Sequence, residues 1–290
     1  MRSYRKKRKA RKTRKRRQRG GNPEKCIFVT LLSGLGNQLY VYAAAIVAKR
    51  RTGLPICLLP DTGNVHSKTD YTTVLFKQGT PVDGEVLKSR IEASTHILQS
   101  VVNPHNSWKN TNIAENSSKN MRLAITFFQN YGAIQSAIPT IREDFKKVFE
   151  ERYPGFKDTI PATSAFMHVR KGDYGGASLD REYYQRALKE LNPVEGIKDI
   201  YVLSDDIPWC KEQKWESSKT IQWFESSDEL HALYLMSLCV AGAIISASTF
   251  STWGAILGAD QNESSTIIYP EGWITGPSSK IEFPSRWKAI

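Results

Sequence analysis

Several features that would place a chain in the membrane, secreted or metal-binding classes are missing from this one. No apolar run approaches the roughly 20 residues that a membrane span needs, and the N-terminus lacks the apolar segment of a signal peptide. A soluble, cytoplasmic protein is therefore expected. The four cysteines, Cys26, Cys57, Cys210 and Cys239, are scattered and form no C-x-x-C pair. Neither a zinc site nor a disulfide framework is expected, and buried reduced thiols are. No internal repeat is present. Acid is also missing from the first 21 residues, "MRSYRKKRKARKTRKRRQRGG", which hold 13 Lys or Arg.

That last absence changes the meaning of the formal charge of +12. Of the 41 basic residues, 13 lie in this segment, which leaves 28 against 29 acidic ones and a net of −1 for the rest. The body is not basic. Residues 1–24 read as a disordered basic tail, because so polar a segment cannot bury apolar surface. Such a tail suits nucleic acid or another anionic surface. A nucleic-acid-associated protein led by its tail is the rival reading of the whole chain. It calls for a basic body with interleaved aromatics, and the balance of −1 argues against it.

What is present is 290 residues with 40% hydrophobic content, enough for a substantial core. From Lys25 onward apolar strands alternate with helices. "CIFVTLL" (26–32) reads as a strand, "LYVYAAAIVAKRRTG" (39–53) as a helix closed by cations and Gly53, and "LPICLLP" (54–60) as a strand. Residues 61–120 show no clear period. A helix is expected after Pro139, running to about Tyr153. The second half alternates regularly: strands at 165–170, 199–204, 220–225, 241–248 and 266–270, and helices at 181–191, 208–213, 227–240 and 250–259. Ser226 and Glu229 fit a capping box for the helix at 227–240. The alternation implies βαβ units and parallel sheets. A boundary near 155–163 gives two α/β halves, 25–158 and 159–290.

In such sheets ligands bind beyond the carboxyl ends of the strands. Three strands end there in residues unsuited to a core. The first ends in His168, Arg170, Lys171 and Asp173, the second in Ser204, Asp205 and Asp206, the third in Ser246, Ser248, Thr249 and Ser251 at the start of a helix. His168 and Arg170 are two apart and share a strand face. A cation beside a helix N-terminus binds phosphate, and a carboxylate can accept from the N–H groups of guanine. The rim reads as a nucleotide-diphosphate site. An Arg170–Asp173 ion pair that merely pins the turn is the alternative. Asp205 and Asp206 could instead clamp a metal or cap the next helix. "SGLGNQL" (33–39) lacks the third glycine of a dinucleotide fingerprint. Its Gly34 and Gly36 would still allow backbone approach to a ligand, and a tight turn is the plain alternative.

Taken together, "GLGNQLYVYAAAIVAK", "ITFFQNY", "HVRKGDY", "YVLSDDIPWCKE" and "DELHALYLMSLCVAGAIISASTFSTWGA" resemble, in content and order, the α-1,2-fucosyltransferases of glycosyltransferase family 11. The resemblance covers roughly residues 26–260. It implies a GT-B-like fold: two Rossmann-type halves with mainly parallel sheets and the donor site in the cleft. It also implies an inverting transfer of fucose from GDP-β-L-fucose to a sugar hydroxyl of a glycan acceptor, most simply the 2-hydroxyl of a galactose-type sugar. No cofactor and no metal are expected. Arg170 would hold the β-phosphate with Lys171 beside it. His168 and one of Asp205 or Asp206 would hold guanine or ribose. Ser248, Thr249 and Phe250 would line the pyrophosphate pocket, and Gly34, Gly36 and Asn37 would approach the donor from the first half. Arg170, Asn37 and Asp173 are the candidates for the reacting centre, with Asp173 a candidate general base that could equally brace Arg170. Departures from the family pattern are Lys171 for a second Arg, Ala247 for Asn and Thr252 for Trp. They leave GDP binding in place and keep open a nucleotide-sugar binder without activity.

Overall fold

The computed structural model describes residues 25–60, 69–97, 120–123, 128–171, 178–273 and 282–290. Expectations for the basic tail and for Asp173 fall outside these residues. The first half begins with β1 (Ile27–Leu31), α1 (Leu35–Thr52) and β2 (Ile56–Pro60). It continues with α2 (Tyr71–Val74), β3 (Gly79–Pro81), α3 (Lys88–Glu92), β4 (Thr95–Ile97) and β5 (Met121–Leu123). These strands form one sheet in the order β3-β2-β1-β5-β4, every pairing parallel. Two linking helices follow, α4 (Tyr131–Ile134) and α5 (Ile138–Arg152).

The second half comprises β6 (Ser164–Val169), α6 (Arg181–Leu191), β7 (Asp199–Ser204), α7 (Ile207–Glu212) and β8 (Thr220–Trp223). Then come α8 (Glu229–Leu238), β9 (Gly242–Ile244), α9 (Thr249–Leu257), β10 (Thr266–Tyr269) and β11 (Lys288–Ala289). The sheet order is β11-β10-β9-β6-β7-β8, again all parallel. From β6 the chain winds outward to β8, then returns to the other side of β6 and winds the opposite way. That is the order of a doubly wound nucleotide-binding sheet, and its reversal lies between β6 and β9. Two such halves, joined by a short linker, make the GT-B-like arrangement. Where the connection between neighbouring strands is described, a helix returns the chain, as parallel pairing requires; β6 is buried at all six positions.

α1 starts at Leu35, four residues earlier than its Ala-rich stretch suggests, so Gly36, Asn37 and Gln38 form its first turn. From Leu35 to Ala48 nearly every residue is buried, which explains why the helix shows no polar stripe. It stops as its sequence indicates: Lys49, Arg50 and Arg51 fill the last turn, and Gly53 at φ 71° returns its N–H to the Lys49 carbonyl. α8 is capped differently from expectation. Asp228 accepts from the Leu230 N–H at 3.0 Å, while Ser226 accepts from the Asp228 N–H at 3.1 Å. The carboxylate lies directly before the first turn and takes the cap.

The expectation of reduced thiols is corrected for one pair. Parallel pairing of β1 with β2 puts the Cys26 and Cys57 Cα atoms 6.0 Å apart, and the two buried residues form a disulfide. Cys210 and Cys239 are free and buried.

The halves share a core. Tyr40 of α1 meets Trp253 of α9 edge-on at 5.3 Å, and Phe149 of α5 stacks on Tyr234 of α8 at 4.9 Å. Each such pair contributes about 0.5–1.5 kcal/mol beyond its area burial. Asp260, whose side chain is 2% exposed, forms a second tie. Its carboxylate receives Arg142 at 3.1 Å, Tyr131 Oη at 2.8 Å, Trp287 Nε1 at 3.0 Å and Arg286. A buried carboxylate is tolerated only with such compensation. The linking helices and the C-terminal segment are thereby tied to the second half. No helix among the described residues is long and apolar enough to cross a membrane.

Candidate functional site

The carboxyl ends of β6 and β9 meet at the reversal point. His168, on the last turn of the β6 pleat, is 5% exposed, and its Nδ1 lies 2.9 Å from Ser246 Oγ, just beyond β9. The bond spans the crevice where doubly wound sheets take their ligands. Ser246 Oγ is 3.3 Å from Ser251 Oγ, which donates to the Ser248 carbonyl at 2.9 Å. Phe250 lies over the same spot, its ring centroid 5.8 Å from that of His168. Burial, then the charge of Arg170, pushes the His168 pKa down to about 4, and Asp205 opposes this only in part. The ring is therefore neutral at physiological pH.

Arg170 follows β6 on the face of His168. Its backbone N–H donates to Tyr184 Oη at 3.3 Å. Its Nε pairs with Asp205 Oδ2 at 3.2 Å, the two side chains being 29% and 28% exposed. The other Asp205 oxygen accepts from the Lys171 N–H at 2.8 Å. Asp205, from the end of β7, thus holds the Lys171 N–H after β6 and orients the guanidinium; the alternative pairing of Arg170 with Asp173 lies outside the described residues. Asp206 turns the other way and caps α7, accepting from the Trp209 N–H at 3.0 Å. The adjacent carboxylates serve different partners: Asp206 takes the helix-cap role and Asp205 braces Arg170. Lys171 sends its ammonium over the Trp209 ring, 4.3 Å from the centroid, and to within 3.5 Å of Ser178 Oγ.

The first half meets this rim through the head of α1. Asn37 Oδ1 accepts from Thr249 Oγ1 at 3.1 Å and from Gln129 Nε2 at 2.9 Å, while Asn37 Nδ2 donates to Ser33 Oγ at 3.1 Å. One amide therefore joins β1's end, the segment after β5 and the first turn of α9. Gly36 explains the closeness. A Cβ there would lie 2.3 Å from the Phe250 backbone nitrogen. Its missing side chain admits α9. Gly34 precedes the helix in extended conformation, and its carbonyl takes the Asn37 and Gln38 N–H groups. Two non-glycine residues with positive φ, Ser33 at 68° and Phe128 at 50°, flank this joint. Such conformations cost of order 1–3 kcal/mol and persist where the surroundings impose them, often at ligand sites.

Thus His168, Thr249, Phe250, Asn37 and Gly36 are linked by direct contacts, Ser248 precedes Thr249 as the cap of α9, and Arg170 follows His168 at the end of β6. Asp205 pairs with Arg170, whereas Asp206 and the Lys171 ammonium are directed to α7. Ser33 and Gln129 were not singled out by sequence, although Ser33 lies within "SGLGNQL" and Gln129 within "ITFFQNY". Chemically, a guanidinium after β6 and a helix N-terminus after the neighbouring β9 suit an anion of the diphosphate type. A cavity of about 530 Å³ elsewhere, lined by Arg142, Phe149, Tyr234 and Leu257 among others, shares none of these residues. Among the described residues no three His, Cys, Asp or Glu converge as metal ligands would.

Glycosyl transferase family 11 matches residues 127–280. The O-antigen biosynthesis glycosyltransferase WbnK of Escherichia coli is 26% identical over 302 residues, covering 89% of this chain and 99% of the relative. An alpha-1,2-colitosyltransferase of Escherichia coli is 34% identical over 148 residues, covering 46% of this chain and 50% of the relative. The solved structure of fucosyltransferase NodZ from Bradyrhizobium superposes with a TM-score of 0.47 at 12% identity, covering 82% of this chain and 94% of that one.

Proposed function

Because the chain belongs to glycosyl transferase family 11, and is thus a glycosyltransferase, we propose that it transfers L-fucose from GDP-β-L-fucose, with inversion, to the 2-hydroxyl of a galactose-type acceptor. The observation that carries this reading is the meeting of His168 with Ser246 and with Phe250 of α9 at the β6/β9 reversal point, with Arg170 two residues on from His168. In the reaction the acceptor oxygen bonds to fucose C1 as the bond from C1 to the phosphate oxygen breaks. Negative charge then builds on the departing diphosphate. Arg170, pre-oriented by Asp205, and the α9 amides stabilise that charge. The neutral His168 ring holds the ribose or base, and Asn37 keeps the α1 and α9 heads in contact across the cleft. The acceptor proton leaves to a general base, for which Asp173 is the candidate. With Arg170 supplying the positive charge, transfer should continue in excess EDTA.

The test is incubation with GDP-fucose and galactose-ended glycans, with the product linkage read by NMR and the nucleotide preference by calorimetry. An α-1,2-fucosyl product and GDP binding at least tenfold tighter than UDP are expected. Equal binding of the two nucleotides removes the donor assignment. The 34% identity to an alpha-1,2-colitosyltransferase favours one second reading. Colitose is fucose without its 3-hydroxyl, and a pocket that does not hydrogen-bond this hydroxyl accepts either sugar. Faster turnover of GDP-colitose than of GDP-fucose would select it.

A further inference from the structure

The neutral His168 ring carries one N–H, and its position decides what the ring can recognise. The hydroxyls behind it fix that position. Ser251 Oγ lies 2.9 Å from the Ser248 carbonyl, which can only accept, and this is the shortest of the contacts its proton can serve, the Ser246 Oγ and carbonyl being 3.3 and 3.4 Å away. The Ser251 oxygen is then an acceptor, and Ser246 Oγ, 3.3 Å away, donates to it. With its own proton so used, Ser246 accepts from His168 Nδ1 at 2.9 Å. In the opposite order, Ser246 donates to the ring and the one Ser251 proton serves either Ser246 Oγ or the Ser248 carbonyl. That carbonyl also accepts from the Thr252 N–H and Oγ1 at 3.1 Å each. One of the two Ser251 contacts is then left without a hydrogen. Only the first arrangement places a proton in every contact of the buried chain, and buried polar groups are costly when unpaired. Both serines are 0% exposed to bulk solvent.

We infer that Ser246 and Ser251 are positioning residues that lock His168 as its Nδ1–H tautomer, which makes Nε2 a hydrogen-bond acceptor at the donor cleft. Nε2 has no hydrogen bond to any described residue. It selects for a ligand edge that donates, a ribose hydroxyl or a base N–H, and against an oxyanion, which falls to Arg170. This assignment of the ligand edge rests on the proposed nucleotide-sugar donor; the tautomer itself does not.

The experiment is long-range ¹H–¹⁵N correlation NMR on the ¹⁵N-labelled full chain at pH 7, with His168 assigned by its loss in His168→Gln. The expected pattern is a protonated Nδ1 and a bare Nε2. Ser246→Ala should convert this to a mixture and raise the donor KM about tenfold, the loss of roughly one good hydrogen bond, with kcat altered less than twofold. Ser246→Thr, which keeps the hydroxyl, should restore both. An Nε2–H pattern in the unaltered protein overturns the inference, as does a Ser246→Ala protein, folded by its NMR spectrum, whose tautomer and KM are unchanged. A chain that shows the Nδ1–H tautomer yet binds no GDP refutes the donor assignment and leaves the relay standing.

Discussion

Where β6 ends, Val169 is followed by Arg170 and flanked by His168 and Ser246, side chains that carry charge or a directed lone pair. Where β1 ends, Leu31 is followed by Ser33 in a left-handed conformation and by the Gly36 and Asn37 turn, and its contribution is backbone shape and one amide. The second half therefore supplies the chemistry of the cleft, and the first half supplies its closeness. Substitutions on the two sides should fail in different ways: loss of rate without loss of fold on one, displacement of two helix heads on the other.

The largest effect is expected at Arg170. Removing a donor that meets developing charge costs about 10²–10³ in rate, so Arg170→Ala should lower kcat at least that far. The Arg170–Asp205 pair is nearly one-third exposed on both sides, and such pairs contribute about 0–1 kcal/mol, so the melting temperature should move little. Arg170→Lys keeps the charge without the planar fork and should restore only part of the rate. A large fall in melting temperature with normal turnover would make Arg170 structural and erase the contrast between the halves.

Gly36 comes next. An added methyl would meet the Phe250 backbone nitrogen at 2.3 Å, and backbone cannot swing aside as a side chain can. Overpacking of this kind costs roughly 1–3 kcal/mol, and an ångström of misplacement at a reacting centre can cost about 10²-fold in rate. Gly36→Ala should show both. Gly53→Ala is the control in the same helix: φ is 71° but nothing lies within 4 Å. It should cost roughly 1–2 kcal/mol of stability and leave turnover per folded molecule unchanged. Equal turnover in both variants would mean that the first half does not set the cleft.

Much of this was legible in the chain, unevenly. Helix α6, strand β7 and the shared face of His168 and Arg170 follow from local periods of 3.6 and 2. Asp206 capping α7 was one of the open alternatives and is a matter of three residues. What escaped reading depends on distant partners. Gly36 is explained by Phe250, Cys26 by the register of β1 on β2, and Asp205 by Arg170 on the neighbouring strand. Ser246 could be listed as a rim hydroxyl, but its place behind His168 requires that β9 return beside β6. The short strands β3, β4 and β5, three residues each, leave too little pattern to detect a period.

A smaller effect should appear as pH dependence. His168 has its pKa lowered from 6.5 to about 4, chiefly by burial. Below 6.5 the unfolded chain takes up a proton that the folded one refuses until about pH 4. Stability from this group is therefore complete above 6.5 and falls as pH drops through that window. The full span corresponds to about 3 kcal/mol. Denaturant titrations of the wild type and His168→Gln between pH 7 and 4 should converge as pH falls. Parallel curves would mean that the ring titrates in the folded protein as it does in water.

The smallest effect is expected at Lys171, although it adjoins Arg170. Its ammonium lies 4.3 Å from the Trp209 ring centroid and 3.5 Å from Ser178 Oγ. Its other tie to the turn, the N–H bond to Asp205 at 2.8 Å, is backbone and survives any substitution except proline. Lys171→Ala thus removes a partly exposed cation–π contact, worth about 0.5–1 kcal/mol, and keeps the brace on Arg170. Turnover should fall less than tenfold, with a small drop in melting temperature; Trp209→Leu, which also loses the edge contact with Trp215 at 6.3 Å, should fall further. Because both variants remove the same contact, the double variant should be no less stable than the worse single one. If Lys171→Ala instead costs as much turnover as Arg170→Ala while Trp209→Leu is neutral, the ammonium leaves Trp209 for the phosphates during transfer. The charge of the cleft would then be shared between two cations of the second half.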